Sequence, residues 1–222
     1  MPKIVDHEAR RAELARAVWR VVQREGVAAV SVRATAQEAG WSPGTVQHYF
    51  STRDQMLEFA METAIAAGAG RVEPLLADDA HADGDPVTAA VGILESLAPL
   101  DGDSRVATEL WVAFLARVLV DERARAIENR GADELADECR RLVTSLCHPP
   151  DDEQIEFEAV RLHALLDGVS LMAVTRPGRM PPERVREILR RHVAQIASGP
   201  APAGSRPHGV RTAVSGPRGR SR

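Results

Sequence analysis

Residues 31–53 read SVRATAQEAGWSPGTVQHYFSTR, and the order of helix formers and breakers in that run decides the fold. Ser31 can cap a short helix, and Gly40 can end it in the left-handed conformation that a side chain disfavours. Ser42-Pro43 then supplies a cap followed by proline at the first helical position, and Phe50 closes the second helix. Two short helices joined by a turn of about four residues have helix-turn-helix spacing. The second helix begins Ser42, Pro43, Gly44, Thr45, whose small side chains and free N–H groups suit close approach to a phosphate. Gln47, His48 and Tyr49 follow. Glutamine can hold adenine through two hydrogen bonds, while His and Tyr reach phosphates or base edges. Three of the eight aromatic residues, Trp41, Tyr49 and Phe50, fall within these ten positions. Phe50, and in part Trp41, are expected to pack the first three helices together.

Outward from this run the chain reads as helix after helix. Leu14, Val18, Val21 and Val22 mark a stripe on a first helix that Gly26 can end. Ser51-Thr-Arg-Asp54 resembles a capping box, with Asp in place of Glu, and opens a fourth helix predicted to reach Gly68 or Gly70. Residues 77–86 are a polar loop. Further helices are predicted over 87–98, 104–119, 122–146, 152–174 and 182–197. No stretch alternates with period two. The expectation is an all-α fold of about nine helices: a three-helix helix-turn-helix domain over 1–51, a helical effector-binding and dimerisation domain over 52–197, and a disordered tail over 198–222. That tail is Gly, Pro, Ser and Arg with little to bury, so it is expected to be dispensable for folding.

Composition sets outer limits. The chain has 222 residues, 44% of them hydrophobic and 27% charged, as in globular proteins. Cys139 and Cys147, eight residues apart on one helix, would lie about 12 Å apart, too far to bridge. The N-terminus lacks an apolar signal core, and the run Leu110 to Val120 is interrupted by Arg117 and too short for a bilayer. A reduced, cytoplasmic protein with no membrane partner is expected. The net charge of −4 divides into +3 over 1–53, −12 over 54–197 and +5 over 198–222. Such a chain is no general polyanion binder, but a local basic face can still hold DNA.

Catalytic and metal motifs are missing. Asp78, Asp79, His81, Asp83 and Asp85 form an acidic loop, but the twelfth position counted from Asp79 is Ala90, not the Glu of a calcium loop. Cys139, Cys147 and His148 lack zinc-site spacing. There is no nucleophile elbow, phosphate-binding glycine loop or HExxH pair. No catalytic residue, metal or cofactor is expected.

With those residues in view, the N-terminal 7–62 segment resembles the TetR family of transcriptional regulators: Ser31, the Ala36–Gly40 turn, Ser42-Pro-Gly-Thr45, the aromatic second helix and Phe50, with Arg53 where Lys is usual. Leu166-Asp-Gly-Val-Ser-Leu, a Pro/Gly turn and a last helix look like the BetI-like branch. The resemblance implies a DNA-binding regulator and not an enzyme. Ser31, Arg33, Ser42, Thr45, Gln47, His48, Tyr49 and Arg53 would meet DNA, with Tyr49 and Arg53 on phosphates. Three departures stand out: Gln47 where Tyr is common, Thr35 where Ile or Leu is common, and Trp41 in place of a small aliphatic.

The resemblance further implies a homodimeric repressor released from a palindromic double-stranded operator by a small-molecule effector. An activator, a regulator without a ligand, and a helical enzyme or scaffold are the alternatives. Met56, Phe59, Met61, Glu109, Trp111, Phe114 and His163 are candidate effector contacts; ordinary core packing is the competing reading for each. Two helical stripes are candidate dimer contacts. Leu162, Leu166, Val169 and Ala173 form the first, and Val185, Ile188, Leu189, His192 and Ile196 the second.

Overall fold

The structure, a computed structural model, describes residues 7–79, 85–147 and 151–199. Residues 80–84 of the acidic loop, His148 and the tail from 200 onward lie outside the described residues. The elements are α1 (His7–Glu25), a 3-10 turn (Val27–Ala29), α2 (Val32–Ala39), α3 (Pro43–Tyr49), α4 (Arg53–Asp79), α5 (Pro86–Leu97), α6 (Gly102–Val118), α7 (Glu122–Leu146), α8 (Asp152–Thr175) and α9 (Pro182–Ala197). No strand occurs among the described residues, so the fold is all-α.

Local chemistry sets most helix starts. Ser31 Oγ accepts the Ala34 N–H at 3.1 Å, and Ser42 Oγ accepts the Thr45 N–H at 3.1 Å. Gly40 closes α2 at φ 70°, where a Cβ would be strained. In the body, Asp85, Asp101, Asp121 and Asp151 cap α5, α6, α7 and α8 in turn. Asp101 forms a capping box with Ser104, whose backbone N–H is the main cause holding the Asp101 carboxyl below its usual range.

The fourth helix departs from expectation. It does not stop at Gly68 or Gly70 but runs to Asp79, with Pro74 inside it. Proline removes one helical hydrogen bond, and glycine is a weak helix former. Tertiary packing overrides both, because Val72 is buried and Leu75 and Leu76 pack against the body core.

Two apolar clusters hold the chain. The first joins α1 (Leu14, Val18, Val21, Val22), the α2–α3 turn (Ala36, Val46, Phe50) and the first turns of α4. It also takes in Val106, Leu110 and Phe114 of α6 and Ala124 and Ile127 of α7. The boundary expected between residues 51 and 52 therefore cuts through a shared core. The second cluster joins α5, the C-terminal half of α7, α8 and α9. Here the expected dimer stripes are corrected. Leu162, Leu166, Val169, Ala173, Val185, Leu189 and Ile196 are all buried in this intrachain cluster, Ile188 packs against it, and His192 is half-buried. Helical periodicity shows that a face is apolar, but α5 and α7 cover these faces before any second copy can.

Thr35 sits fully buried in the head, and its hydroxyl has no hydrogen-bond partner among the described residues. An unpaired buried hydroxyl costs about 1–3 kcal/mol. Thr35→Val should therefore raise stability by about 1 kcal/mol or more in thermal melting. A drop would mean that the hydroxyl is paired in solution.

Candidate nucleic-acid interface and body cavity

α3 presents Ser42, Thr45, Gln47 and His48 on its exposed side, while Val46 points into the core. Ser42 and Thr45 hydroxyls share a 2.8 Å hydrogen bond, which fixes the first turn. Arg33 is exposed and Ser31 half-buried at the start of α2, beside the same surface. Tyr49 is half-buried at the centre of a ring cluster. Its ring lies 5.5 Å from His7, 5.8 Å from Trp41 and 5.6 Å from His48, and Arg10 sits 4.8 Å over Trp41. The start of α1 thus braces the second helix of the motif. Sequence reasoning missed His7 and Arg10; a lone Tyr beside Trp41 in an aromatic-poor chain was the available signal.

Several head cations are already committed. Arg20 and Arg24 bind Glu38 at 2.6 and 2.7 Å, and those hydrogen bonds hold the Glu38 carboxyl below its usual range. Arg11 lies over the Phe50 and Phe59 rings. Arg53, expected on a phosphate, donates Nε to the Val30 carbonyl and one Nη to the Val27 carbonyl, both at 2.8 Å. This side chain ties α4 to the 3-10 turn, a structural duty that precedes any contact with DNA. The free positive charge of the head is smaller than its formal charge suggests.

The body carries an open cavity of about 620 Å³, lined mainly by α4, α6, α7 and α8, a size suited to a drug-like molecule. Of the expected effector residues, Met61, Trp111 and His163 line it. The other four are not among its lining residues: Met56 and Phe114 are buried in the first cluster, Phe59 packs against it, and Glu109 pairs with Arg105 at 3.1 Å. The sequence reading missed the α7 wall altogether. Glu128, Gly131, Leu135 and Glu138 line the cavity at helical spacing, so carboxylates on an otherwise buried stripe were the signal. Gly131 faces α4 closely: an added Cβ would lie 3.0 Å from Ile65 Cδ1, which would have to shift.

Three carboxyls matter on this wall. Glu128 Oε1 accepts the Trp111 indole N–H at 3.0 Å. Glu138 is buried; its Oε2 meets Arg141 at 2.9 Å, while Oε1 has no partner among the described residues. Burial raises the Glu138 carboxyl above its ordinary value against the pull of Arg141. Burial also raises Asp167, which His163 pulls down and Glu128 pushes up. Burial pushes the Cys139 thiol up to about 12, which makes it an inert core residue.

Beside the cavity, α4 is clamped to the α6–α7 turn. Arg117 reaches Glu58 at 2.8 Å and Asp121 at 2.6 Å, and Arg123 reaches the other Glu58 oxygen at 2.9 Å. No helix among the described residues is long and apolar enough to cross a membrane.

Residues 14–60 match the family described as bacterial regulatory proteins, tetR family, and residues 86–198 match the BetI-type transcriptional repressor C-terminal family. The chain is 33% identical over 199 residues to the HTH-type transcriptional regulator PksA of Bacillus subtilis, covering 88% of this chain and 94% of that one. A transcriptional regulator from Rhodococcus sp. superposes with a TM-score of 0.72 at 28% identity, over 85% of this chain and 96% of that one. A regulator from Saccharomonospora viridis in complex with choline also gives 0.72, at 19% identity, over 85% of this chain and 97% of that one.

Proposed function

The chain belongs to the TetR family of transcriptional regulators, and on that premise we propose a homodimeric repressor released from a near-palindromic operator by a small molecule bound in the body cavity. The double duty of α6 carries this reading. Val106, Leu110 and Phe114 belong to the core of the DNA-binding head, while Ala107, Thr108 and Trp111 line the cavity. On α4, Met61 and Ala64 belong to both. A ligand that shifts either helix changes how the head is seated. A structural neighbour solved with choline supports a ligand-responsive body.

The dimer surface in this reading is the outer face of α8. Phe157 and Val160 are 62% and 60% exposed, and Leu171 is 39% exposed. Ala164 and Gly168 lie between them, exposed and on the same helical face. Large residues at the ends and small ones in the middle suit close crossing by the same helix of a second copy. Two recognition helices would then enter successive major grooves about 34 Å apart. An effector lowers operator affinity by its differential affinity for the two head spacings.

Footprinting on promoter DNA upstream of its own gene tests the reading; a protected site with two related half-sites is the expected result. Binding without sequence preference would overturn it. In the same assay, Gln47→Ala should cost about 1–3 kcal/mol on the footprinted site and blur preference at one position per half-site. Affinity for scrambled DNA should barely change. An equal loss on both duplexes would pass base reading to Arg33 or His48.

A further inference from the structure

From the charge and ring content of the cavity, we infer that its ligand is a hydrophobic amine carrying a protonated, hydrogen-bond-donating nitrogen, received by Glu138 and Asp167, and not a quaternary ammonium. The inference rests on reading this cavity as the effector site.

Among the described residues six carboxylates border the cavity, Glu73, Glu128, Glu134, Asp137, Glu138 and Asp167, against two arginines, Arg71 and Arg141. Both arginines are already engaged. Arg71 donates Nε to the Ser96 carbonyl at 2.9 Å, and Arg141 pairs with Glu138. Glu73, Glu134 and Asp137 are exposed, so they form an acidic rim that draws cations inward. Glu138 is buried and Glu128 half-buried, on a wall shared with Ile65, Val72, Leu76, Leu135 and Leu166, while Asp167 keeps 44% of its side chain exposed. An apolar wall with a few charged groups selects a ligand that is mostly hydrocarbon with one charge of opposite sign.

The kind of cation follows from what the wall lacks and what it offers. Quaternary ammonium groups have no N–H to donate and are held by several aromatic faces. Among the described residues Trp111 is the one Trp, Tyr or Phe lining this cavity, so the wall forms no cage of several aromatic faces. The wall instead offers acceptors. Glu138 is 6% exposed, and its buried Oε1 has no hydrogen-bond partner among the described residues. The Asp167 side chain is 44% exposed, and among the described residues His163, at 3.7 Å from Oδ2, is its ion-pair partner. A buried carboxylate oxygen without a hydrogen-bond donor, as Glu138 Oε1 is, is costly, and a charge-assisted N–H···O bond offsets that cost. An ammonium with two or three N–H groups can supply it, whereas a methylated nitrogen cannot.

Four probes sharing one chain length test this: decylamine, decyltrimethylammonium, decanol and decanoate, titrated calorimetrically into the full-length protein and into its operator complex. Decylamine should bind and release the operator, with decyltrimethylammonium at least about tenfold weaker. Glu138→Gln keeps the shape of the side chain and removes a charge that burial already disfavours, so the variant should melt no lower than the parent. It should weaken decylamine about tenfold or more and leave decanol unchanged; Asp167→Asn should act in the same direction. Equal affinity for decylamine and decyltrimethylammonium overturns the assignment, as does undiminished decylamine binding by Glu138→Gln. Release of the operator by decanol or decanoate but not by decylamine overturns the amine while the effector reading stands. Failure of decylamine to bind also overturns the amine; the regulator reading is decided apart from it, by the footprint.

Discussion

A chain carrying Phe157→Glu and Leu171→Glu is expected to run as a monomer and to lose about 100-fold or more of its operator affinity. The two side chains lie on one face of α8, fourteen residues and roughly 21 Å apart, and both are exposed in the single chain. In an isologous contact each change occurs twice, so four carboxylates would face a surface now made of apolar and small residues. The fold of the protomer should survive, because neither side chain belongs to the buried clusters. The operator loss follows from avidity. Once one head is bound, the second binds at an effective concentration set by the tether, which contributes a factor of 10² to 10⁴. Light scattering gives the oligomeric state, fluorescence anisotropy the operator affinity and thermal melting the control. A dimer persisting at micromolar concentration would place the interface elsewhere.

The second large effect separates two aromatic residues three positions apart on α6. Phe114→Ala should cost about 3–5 kcal/mol of stability. Phe114 is 1% exposed in the cluster that joins head and body, and the Arg117 guanidinium lies 5.6 Å over its ring. A loss of that size is a large part of the 5–15 kcal/mol typical of a folded domain. It also loosens the seat of the arginine that clamps Glu58. Trp111→Ala should behave differently. Its indole is half-buried on the cavity wall, held at its edge by Glu128, and packs against the Phe114 cluster only from its margin, so truncation enlarges the cavity at a smaller cost in stability. The protein should stay folded and bind operator while responding poorly to effector. Thermal melts run beside operator titrations decide the matter; if Trp111→Ala melts as low as Phe114→Ala, Trp111 is core and the cavity reading weakens.

The reach of the sequence can be seen in single elements. The ends of α7 and α9 match the expected ranges, and α8 differs by one residue, because these helices begin or end at Asp caps and prolines whose effect is local. The same logic failed on α4, where Gly68, Gly70 and Pro74 are local signals against helix and the buried Val72, with Leu75 and Leu76 beside it, outweighs them. Among the residues chosen for size and aromaticity, Met61 and Trp111 line the cavity and Met56, Phe59 and Phe114 do not, since large apolar side chains suit a core as well as a cavity. The carboxylates of α7 escaped notice because their significance depends on α4 and α8 closing over them.

By itself, the sequence determined the all-α class, the helix-turn-helix and the exposed polar face of α3. Each rests on interactions within a few residues: a Ser cap, a glycine at positive φ, a proline at the first turn. Tertiary structure alone decided which apolar faces meet each other. It sent the Leu162–Ala173 stripe into the chain's own core and left the opposite face of α8, with Phe157 and Leu171, uncovered. It turned Arg53 onto the backbone of the 3-10 turn and brought the α7 and α8 carboxyls around one cavity. The physical reason is that periodicity records only whether a face avoids water. The partner that covers a face, or the charge that ends beside a carboxylate, depends on contacts between residues dozens of positions apart.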